Sequence, residues 1–506
     1  MSGSNLAGLV RDAARRDPDK IALIFRDVVT DRDATTTWSE LDATVDAVAA
    51  GLRGLGLKPG DRVALHLGNT PDFVTCWFAA LRAGLVAVPV NPGSTARELT
   101  HVLGDSGSRA VVTAAGTAVT LGELEAPPEH LVVTGSGVPG ATALADLLSA
   151  GTGPVEDVGG GEDVAVVLYT SGTSGRPKGA MLSHRALLAS LEQGVQVEPP
   201  VVTRDDVVLL VLPLFHVYGL NAALGMVARQ GATGVLVERF DPVQTLELVR
   251  RHAVTSLIGA PPMYVAWSTL PGAGEALAGV RIALSGAAPL PAEVLQGAFK
   301  ASGLRVFEGY GLTETAPTLT STLRSEVAKP GSIGRPLAGV ELRLLDDRGR
   351  PVEDGDPGEI VVRGANLFSG YWPDGADGPD ADGWFATGDV AVQDGDGDLF
   401  LVDRRRELIL VSGFNVYPRE VEQVLATHPD IQEAAILGIP DPYAGEAVKA
   451  WVVLRPGSTL TPDQIMDHAA LSLAGFKCPT VLAIVDELPH SATGKVSKGR
   501  LRELSG

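Results

Sequence analysis

Apolar residues along the chain form short continuous runs that are separated by segments with helical spacing. The runs at 63–67, 86–90 and 164–168 predict buried strands. Between the first strands, the apolar side chains from residue 41 to 55 recur at helical spacing, and residues 72–83 predict a second helix. Strands that alternate with helices in this way favour a parallel sheet with helical crossovers. The N-terminal part of the chain therefore belongs to the α/β class.

Local residues set the expected details of these elements. Ser39 is the predicted N-cap of the first long helix, with Asp42 as the reciprocal partner of a capping box. The large aromatic side chains are expected in the core rather than in a site: Trp38, Phe73, Trp77 and Phe78.

The last hundred residues repeat the alternation on a smaller scale. Apolar runs at 434–439, 447–454 and 482–485 predict three strands of a small α/β domain with its own core. A chain of 506 residues exceeds what one core usually organises. We expect two domains, 1–403 and 404–506. The acidic stretch 394–398 lacks the glutamate of a calcium loop and predicts a hairpin turn.

Composition narrows the function classes. A formal charge of −20 repels phosphate backbones and argues against a nucleic-acid partner. Cys76 and Cys478 are the only cysteines, so a disulfide framework and a cysteine metal site are excluded and a reducing cytoplasm is expected. The N-terminus lacks the apolar core of a signal peptide, and no apolar run approaches the roughly 20 residues of a membrane helix. Peripheral membrane contact is left open.

The stretch 169–180, YTSGTSGRPKGA, suits a polyphosphate. It follows the predicted strand at 164–168 and precedes a predicted helix that starts after Ser183. Backbone N–H groups and hydroxyls are able to surround phosphate oxygens, while the ammonium of Lys178 offsets their charge. The stretch is not a Walker A loop, because no Gly-Lys-Ser/Thr occurs at the required spacing. The candidate phosphate ligands are Thr170, Ser171, Gly172, Thr173 and Lys178.

Further motifs follow in order. The turn 285–288, SGAA, has side chains small enough for a flat ring to approach the backbone. In 309–315, GYGLTET, Tyr310 offers a ring face between two glycines, Thr313 a hydroxyl, and Glu314 an oxygen suited to Mg²⁺. In 383–389, GWFATGD, the carboxylate of Asp389 is able to accept from two adjacent hydroxyls.

These motifs and their order resemble the adenylate-forming superfamily, which contains acyl-CoA synthetases, aryl-CoA ligases, firefly luciferase and the adenylation domains of peptide synthetases. The resemblance runs along nearly the whole chain. It implies a large N-terminal domain of doubly wound sheets with a β-barrel-like part, followed by a small mobile C-terminal domain. It also implies activation of a carboxylic acid with MgATP, release of pyrophosphate, and transfer of the acyl group to coenzyme A.

The resemblance assigns roles residue by residue. Tyr310 stacks on adenine, Thr313 contacts the phosphate, Glu314 binds magnesium, Asp389 accepts both ribose hydroxyls, and Arg404 contacts the nucleotide. Small residues complete the nucleotide site: Gly286, Ala287, Ala288, Gly309 and Gly311.

Four further residues concern the acid and the domain motion. His216, in LPLFHVYGL, matches the position that lines the carboxylate end of the acyl pocket. Lys495 matches the terminal lysine that bridges the carboxylate and the α-phosphate, where an ammonium lowers the repulsion between two anions. Arg406 matches the hinge, although many members carry lysine or aspartate there. Lys498 matches no family lysine and is expected in solvent.

The acid itself is less constrained. Residues 410–425 resemble bacterial medium- and long-chain fatty acyl-CoA synthetases, so a fatty acid is expected. Some dicarboxylate-using relatives carry an arginine where this chain has Gly309, which disfavours malonate. The alternatives are an aromatic-acid CoA ligase, a ligase that loads an acyl carrier protein, and a non-catalytic nucleotide sensor. The co-occurrence of the charged motif residues argues against the sensor. A homodimer is left open.

Overall fold

The computed structural model describes most of the chain. The described residues are 4–27, 32–118, 121, 124, 127–135, 138–150, 153–170, 177–288, 290, 303–353, 355–404, 407, 409–411, 414–441, 445–490 and 495–503. They divide into two compact units, one made of residues up to 341 with 363–385, the other of 342–362 with 386 onwards. The predicted boundary after residue 403 stays a prediction, and Arg406 lies outside the described residues.

The first unit contains two sheets, and its strands alternate with helices in much of the chain. In chain order the strands are β1 (Ile21–Asp27), β2 (Arg32–Thr37), β3 (Arg62–His66), β4 (Val86–Pro89), β5 (Ala110–Ala114), β6 (His130–Thr134), β7 (Thr142–Ala143), β8 (Val164–Thr170), β9 (Lys178–Ser183), β10 (Val207–Leu210), β11 (Thr233–Leu236), β12 (Ser256–Gly259), β13 (Ile282–Ser285), β14 (Val306–Gly311), β15 (Thr318–Ser321) and β16 (Ser332–Pro336).

The helices of this unit connect those strands. They are α1 (Gly8–Arg16), α2 (Trp38–Gly54), α3 (Pro71–Arg82), α4 (Ala96–Ser106), α5 (Leu144–Ala150), α6 (His184–Val195), α7 (Met226–Gln230), α8 (Pro242–Arg251), α9 (Pro261–Ser268) and α10 (Ala273–Leu277). A π-helix spans Tyr218–Gly225, and 3₁₀ turns span Thr313–Thr315 and Thr322–Arg324.

One sheet has the strand order β7-β6-β5-β3-β4-β8-β9 and is parallel except for the pair β8 and β9. In the other sheet, β14, β13, β12, β10, β11 and β1 are parallel neighbours in that order. Antiparallel partners flank this run, namely β2 beside β1, and β15 then β16 beside β14. The predicted parallel sheet with crossovers is confirmed.

Apolar burial holds these layers together. The four aromatic side chains expected in the core are confirmed, since Trp38, Phe73, Trp77 and Phe78 are each at most 1% exposed. Around the sheet that contains β3 to β9, residues such as Val88, Leu99, Val111 and Val167 form one packed cluster. Removal of such side chains from water is the main favourable term in folding.

The predicted cap of α2 is wrong by two residues. Thr37, not Ser39, is the N-cap: its hydroxyl accepts from the N–H of Glu40 (3.2 Å), and the Glu40 carboxylate accepts from the N–H of Thr37 (2.8 Å). Thr37 and Glu40 form a full capping box because a glutamate three residues on is long enough to reach back. The carboxylate of Asp42 accepts a hydrogen bond from Arg82 instead.

The second unit contains further strands and helices. Its elements, some of which begin or end in the first unit, are β17 (Val340–Leu345), β18 (Gly358–Gly364), β19 (Phe385–Gln393), β20 (Leu399–Arg404), β21 (Ile409–Val411), β22 (Phe414–Val416), α11 (Pro418–Ala426), β23 (Ile431–Asp441), β24 (Gly445–Leu454), α12 (Pro462–Ala470), a 3₁₀ turn (Gly475–Lys477), β25 (Val481–Val485) and α13 (Lys498–Glu503).

Strands β22, β21, β24 and β23 form an antiparallel series, and β25 pairs parallel with β24. Val421 and Leu425 of α11 pack with Ile436, Val452 and Ile465 in a separate core. The three C-terminal strands predicted from the sequence are confirmed. So is the hairpin turn at 394–398, where the N–H of Asp394 donates to the carbonyl oxygen of Asp398 (3.0 Å) between β19 and β20.

The α/β fold class is confirmed, and the β-barrel-like part stays a prediction. Within the described part of the chain, every helix falls short of the length and apolarity that a membrane crossing requires.

Candidate active site

The stretch predicted to bind phosphate lies on a β-hairpin. Strands β8 and β9 pair antiparallel, with Thr170 opposite Lys178. The sequence predicted a strand, a loop and a helix, and the structure adds β9 between the loop and α6. The helix begins as expected, because the Ser183 hydroxyl accepts from the N–H of Ala186 (3.2 Å). The predicted ligands Ser171, Gly172 and Thr173 lie outside the described residues.

A segment far along the chain, residues 368–372, lies beside β9. The N–H of Trp372 donates to the carbonyl oxygen of Gly179 (2.8 Å), and the N–H of Met181 donates to that of Gly370 (3.1 Å). A Cβ on Gly179 would lie 2.5 Å from Val167 Cγ1 and 3.4 Å from Trp372 Cβ. Glycine is therefore required at 179 for this close approach.

Tyr371 lies between the two charged side chains of the motifs. Its hydroxyl donates to Glu314 Oε1 at 2.6 Å, and Lys178 Nζ lies 5.1 Å from the centre of its ring. Lys178 Nζ also pairs with Asp377 Oδ2 at 2.9 Å; the two side chains are 44% and 67% exposed. Such an exposed pair contributes little stability, so Lys178 is available to an incoming anion. The structure thus brings together Lys178 and Glu314, which the sequence separates widely.

The turn that carries Glu314 is held by buried hydrogen bonds. The Thr315 hydroxyl accepts from the N–H of Leu312 (2.9 Å) and donates to the Pro317 carbonyl oxygen (2.6 Å). Asn366 Nδ2 donates to the carbonyl oxygen of Thr315 at 2.8 Å.

A second amide, Asn221 Nδ2, donates to the carbonyl oxygen of Ala316, also at 2.8 Å. The sequence interpretation missed Asn221, Asn366 and Tyr371, because their roles depend on contacts between distant segments. An Asn in an apolar helix, as at 221, is a signal that would have found one of them.

Tyr310 and its flanking glycines lie in β14. Tyr310 is 9% exposed, so little of its surface faces solvent. A Cβ on Gly311 would lie 1.7 Å from the carbonyl oxygen of Pro317, and one on Gly309 would lie 3.3 Å from that of Thr320. The glycines therefore serve close backbone packing beside β15, and the stacking of Tyr310 on adenine stays a prediction.

The small-residue turn after β13 packs against Tyr218. A Cβ on Gly286 would lie 2.8 Å from Tyr218 Cζ, and Ala287 has φ +71°, in the left-handed region. His216 Nδ1 accepts from the N–H of Tyr218 (3.3 Å). Burial raises the pKa of the Tyr218 hydroxyl, although the whole residue keeps some solvent exposure. Through Tyr218, the structure connects the His216 motif with the turn at 286–288.

Asp389 and Arg404 lie in the second unit. They face each other in register on β19 and β20. Asp389 is 6% exposed, and its N–H donates to the Thr387 hydroxyl (3.1 Å). The Thr387 hydroxyl donates in turn to the carbonyl oxygen of Ile360 (2.9 Å), which fixes the turn before Asp389.

Lys495 and Lys498 differ in their surroundings. Lys495 is exposed. Lys498 Nζ lies 2.9 Å from both Glu407 Oε2 and Glu422 Oε1, and its side chain is 16% exposed. The prediction that Lys498 faces solvent is therefore wrong. Burial lowers the pKa of Lys498, but the carboxylates of Glu422 and Glu407 raise it by more, so the ammonium is favoured.

Comparison with known proteins decides the family. A model of the AMP-binding enzyme family matches residues 10–372, and a model of the AMP-binding enzyme C-terminal domain matches residues 420–495. The chain belongs to the AMP-binding enzyme family. The adenylate-forming superfamily inferred from the motifs is thereby confirmed.

Individual relatives of this AMP-binding enzyme cover nearly all of it. A feruloyl-CoA synthase from an Amycolatopsis species is 39% identical over 478 residues, which are 93% of this chain and 94% of the relative. A long-chain-fatty-acid–CoA ligase from Yersinia pestis is 35% identical over 547 residues, with 99% and 94% covered. The crystal structure of ATP-bound MatB from Rhodopseudomonas palustris has a TM-score of 0.89 at 32% identity, with 99% of each chain covered.

These relatives confirm two expectations. An α/β fold with a large N-terminal sheet domain and a small C-terminal domain is shared with a solved structure over almost the whole chain. The expectation of an AMP-forming acid–thiol ligase is confirmed by relatives that are CoA synthases and ligases. The roles of individual residues stay predictions.

Proposed function

We propose that this chain activates a monocarboxylic acid with MgATP to an acyl adenylate and then transfers the acyl group to coenzyme A, releasing AMP and pyrophosphate. The observation that carries the proposal is the position of Tyr371 between Lys178 and Glu314. A cation and an anion are held near each other without neutralising each other, and triphosphate bound with a metal ion needs both. Lys178 would offset the charge of the departing pyrophosphate, with Thr170 and Thr313 as further phosphate ligands.

Magnesium fits the residues present. Within the described residues, no group of three or more His, Cys, Asp or Glu side chains is placed to hold a metal ion. Mg²⁺ is usually bound by one or two carboxylates together with substrate phosphates, so a single carboxylate is sufficient. Glu314 is the residue that would hold the ion, because Oε1 accepts from Tyr371 and Oε2 has no hydrogen-bond partner among the described residues. When bound, the ion would supply charge neutralisation at the phosphates.

We propose the remaining nucleotide contacts from the family motifs. The turn at Gly286, Ala287 and Ala288 and the strand residues 309–311 would contact adenine. Asp389 would accept the ribose hydroxyls. Its low exposure and fixed backbone support that role, because a side chain on a fixed backbone loses less entropy on binding. Arg404, in register with Asp389, would contact the nucleotide.

The second step, transfer of the acyl group to coenzyme A, requires a different arrangement of the C-terminal domain. Lys495 would bridge the carboxylate and the α-phosphate during adenylation, with His216 at the carboxylate end of the acyl pocket. We propose that the domain 404–506 then rotates about Arg406, which removes Lys495 and admits coenzyme A. The exposure of Lys495 is compatible with a side chain that enters and leaves a cleft.

Two classes of acid are candidates. A medium- or long-chain fatty acid is the first, supported by the resemblance of residues 410–425 and by the fatty-acid–CoA ligases among the relatives. An aromatic acid is the second. It is favoured by the packing of the Tyr218 ring on Gly286, since a partly exposed ring beside a small-residue turn suits a flat acyl group. The feruloyl-CoA synthase relative supports the same class.

We propose coenzyme A as the acceptor of the acyl group. We propose the cytoplasm as the location, in keeping with a chain that has two cysteines. Carrier-protein loading and a homodimer gain no support from the relatives.

Pyrophosphate exchange with a panel of acids tests the proposal. Exchange into ATP is expected with fatty acids of several chain lengths or with ferulate and benzoate, and chromatography should detect the matching CoA thioester. Absence of exchange with every acid would contradict adenylation. Exchange without thioester formation from free coenzyme A would contradict the acceptor alone.

A further inference from the structure

The hydrogen bond between Tyr371 and Glu314 points to a function for a residue that the motifs described above do not include. We propose that Tyr371 is a positioning residue that orients the Glu314 carboxylate toward the divalent cation of the bound nucleotide. The inference rests on the proposed function. Its basis is the 2.6 Å distance from the Tyr371 hydroxyl to Glu314 Oε1.

The hydroxyl of Tyr371 is held in place by two independent constraints. The first is the backbone: the N–H of Tyr371 donates to the carbonyl oxygen of Ala376 (2.9 Å), and Tyr371 bridges antiparallel to Ala180 of β9. The second is the ring, which packs edge-on against Phe368 with 5.1 Å between the ring centres. Phe368 is 1% exposed, so its ring cannot easily shift within the packed core. Because both the backbone and the ring of Tyr371 are fixed, the position of its hydroxyl determines where Glu314 Oε1 lies.

The bond restrains the carboxylate and keeps its charge. With Oε1 held by a hydroxyl, rotation of the Glu314 side chain is restricted and Oε2 is directed elsewhere. A neutral donor, unlike a lysine or arginine, leaves the full negative charge for a cation. Lys178 forms its ion pair with Asp377 and touches the face of the Tyr371 ring, and it makes no ion pair with Glu314 within the described residues. Residues that hydrogen-bond to metal ligands commonly tune metal affinity by such orientation.

The test is the affinity for Mn²⁺, a paramagnetic probe that replaces Mg²⁺. Tyr371→Phe removes the hydroxyl and keeps the ring contacts with Phe368 and Lys178. In the presence of a non-hydrolysable ATP analogue, Mn²⁺ titration followed by electron paramagnetic resonance should show about 10-fold weaker binding than in the unaltered protein. Binding of the analogue without metal should change little, because the phosphate ligands remain. A parallel measurement of the Mg²⁺ dependence of pyrophosphate exchange should shift in the same direction.

A matched control is available on the same hairpin. The Tyr169 hydroxyl donates to Asp105 Oδ2, also at 2.6 Å, so Tyr169→Phe removes an equivalent bond that does not reach Glu314. Its Mn²⁺ affinity should match that of the unaltered protein. An equal loss in Tyr169→Phe and Tyr371→Phe would overturn the inference, since it would indicate a general structural effect.

Two further outcomes separate the inference from the proposed function. In the Glu314→Gln background, adding Tyr371→Phe should weaken Mn²⁺ binding by less than about 2-fold, because the two residues act through one contact. A further 10-fold loss there would overturn the inference. If the unaltered protein with the analogue bound no Mn²⁺, the metal part of the proposed function would fail. Normal Mn²⁺ binding in both the unaltered protein and Tyr371→Phe would overturn only the role of Tyr371.

Discussion

Lys178 shows how a cationic side chain with two neighbours stays accessible to solvent. Its ammonium has a carboxylate partner in Asp377 and an aromatic face in Tyr371, yet remains 44% exposed. Water screens the ion pair, so a multivalent anion would replace Asp377 at little cost. In the proposed function, a phosphate would gain more from Lys178 than Asp377 does, because it would bring a higher charge.

We predict that Lys178→Met lowers the rate of pyrophosphate exchange by about 100-fold, since one charged donor to the leaving group is lost. Steady-state exchange kinetics measure the effect, which should appear mainly in kcat. Asp377→Asn separates the charge from the ion pair: it removes the partner, keeps Lys178, and should retain exchange activity and melting temperature. An equal loss in both variants would contradict the role given to Lys178.

At the scale of elements, Asp206 joins the beginnings of three neighbouring strands. It immediately precedes β10, while Thr255 precedes β12 and Arg281 precedes β13. Asp206 Oδ1 accepts from the Thr255 hydroxyl (2.6 Å) and from Arg281 Nε (2.8 Å). Oδ2 accepts from the N–H of Thr203 (2.6 Å). These bonds hold the N-terminal ends of the three strands. The turns of the candidate site begin at the opposite, C-terminal ends.

The pH dependence of stability follows from Asp206. Burial raises its pKa, but the hydrogen bonds from Arg281, Thr255 and Thr203 lower it by more, so the net pKa is below the ordinary value. A depressed pKa stabilises the fold above the unfolded-state pKa of about 3.9, and this contribution is lost as pH falls through the lower folded-state value.

We predict that Asp206→Asn lowers the free energy of unfolding by about 3 kcal/mol at pH 7. The difference from the unaltered protein should shrink as pH falls below about 4. Urea denaturation across a pH series measures it. A difference that stays constant from pH 7 to pH 3 would mean that the charge of Asp206 is not responsible.

A second network joins helices. Arg82, at the end of α3, is fully buried and donates to Asp42 (2.6 Å) and Asp46 (2.7 Å) of α2. Arg11 of α1 pairs with Asp46 at 3.1 Å and with Asp157, in the segment before β8, at 2.8 Å. The segment before β8 is thus tied to the helical layer through Asp157.

Replacing Arg82 should lower the stability of the fold. Arg82→Met leaves the aspartates without their buried partner, and we predict a loss of about 3 to 5 kcal/mol in the free energy of unfolding, measured by urea denaturation. Arg350→Met is the comparison, because Arg350 pairs with Asp346, four residues earlier in the chain, and the Arg350 side chain is 65% exposed. That variant should unfold like the unaltered protein. Similar losses in both would indicate that burial of the ion pair is not the cause.

At the scale of the whole molecule, the candidate residues divide between the two units. Lys178, Tyr310 and Glu314 belong to the first unit, and Asp389 and Lys495 belong to the second. The proposed two-step reaction would therefore use residues of both units. Lys498 ties α13 to α11 through Glu422 and to the segment after Arg406 through Glu407.

We predict that Lys495→Ala lowers adenylation by at least about 100-fold and leaves thioester formation from supplied acyl adenylate close to normal. Separate assays of the two half-reactions measure this. Lys498→Ala is the neighbouring control: it should lower the melting temperature by breaking the pairs with Glu407 and Glu422, whereas Lys495→Ala should not. An equal loss of both half-reactions in Lys495→Ala would contradict its assigned role.

Local sequence patterns are sufficient to predict the class of fold, the order of the motifs and the family. Periodicity is a local property, so strands such as β3 and β24 and the buried Trp77 follow from neighbouring residues. The cap at Thr37 was missed by two positions because two overlapping candidates compete over the same few residues.

The contacts between distant groups are seen only in the folded chain. Nothing in the spacing of Tyr371, Glu314 and Lys178 indicates their contact, which depends on the pairing of residues 368–372 with β9. The same holds for Lys498, which forms ion pairs with carboxylates on other segments. Hydrogen bonds and ion pairs depend on distances of a few ångströms through space, whereas local sequence patterns describe neighbours along the chain.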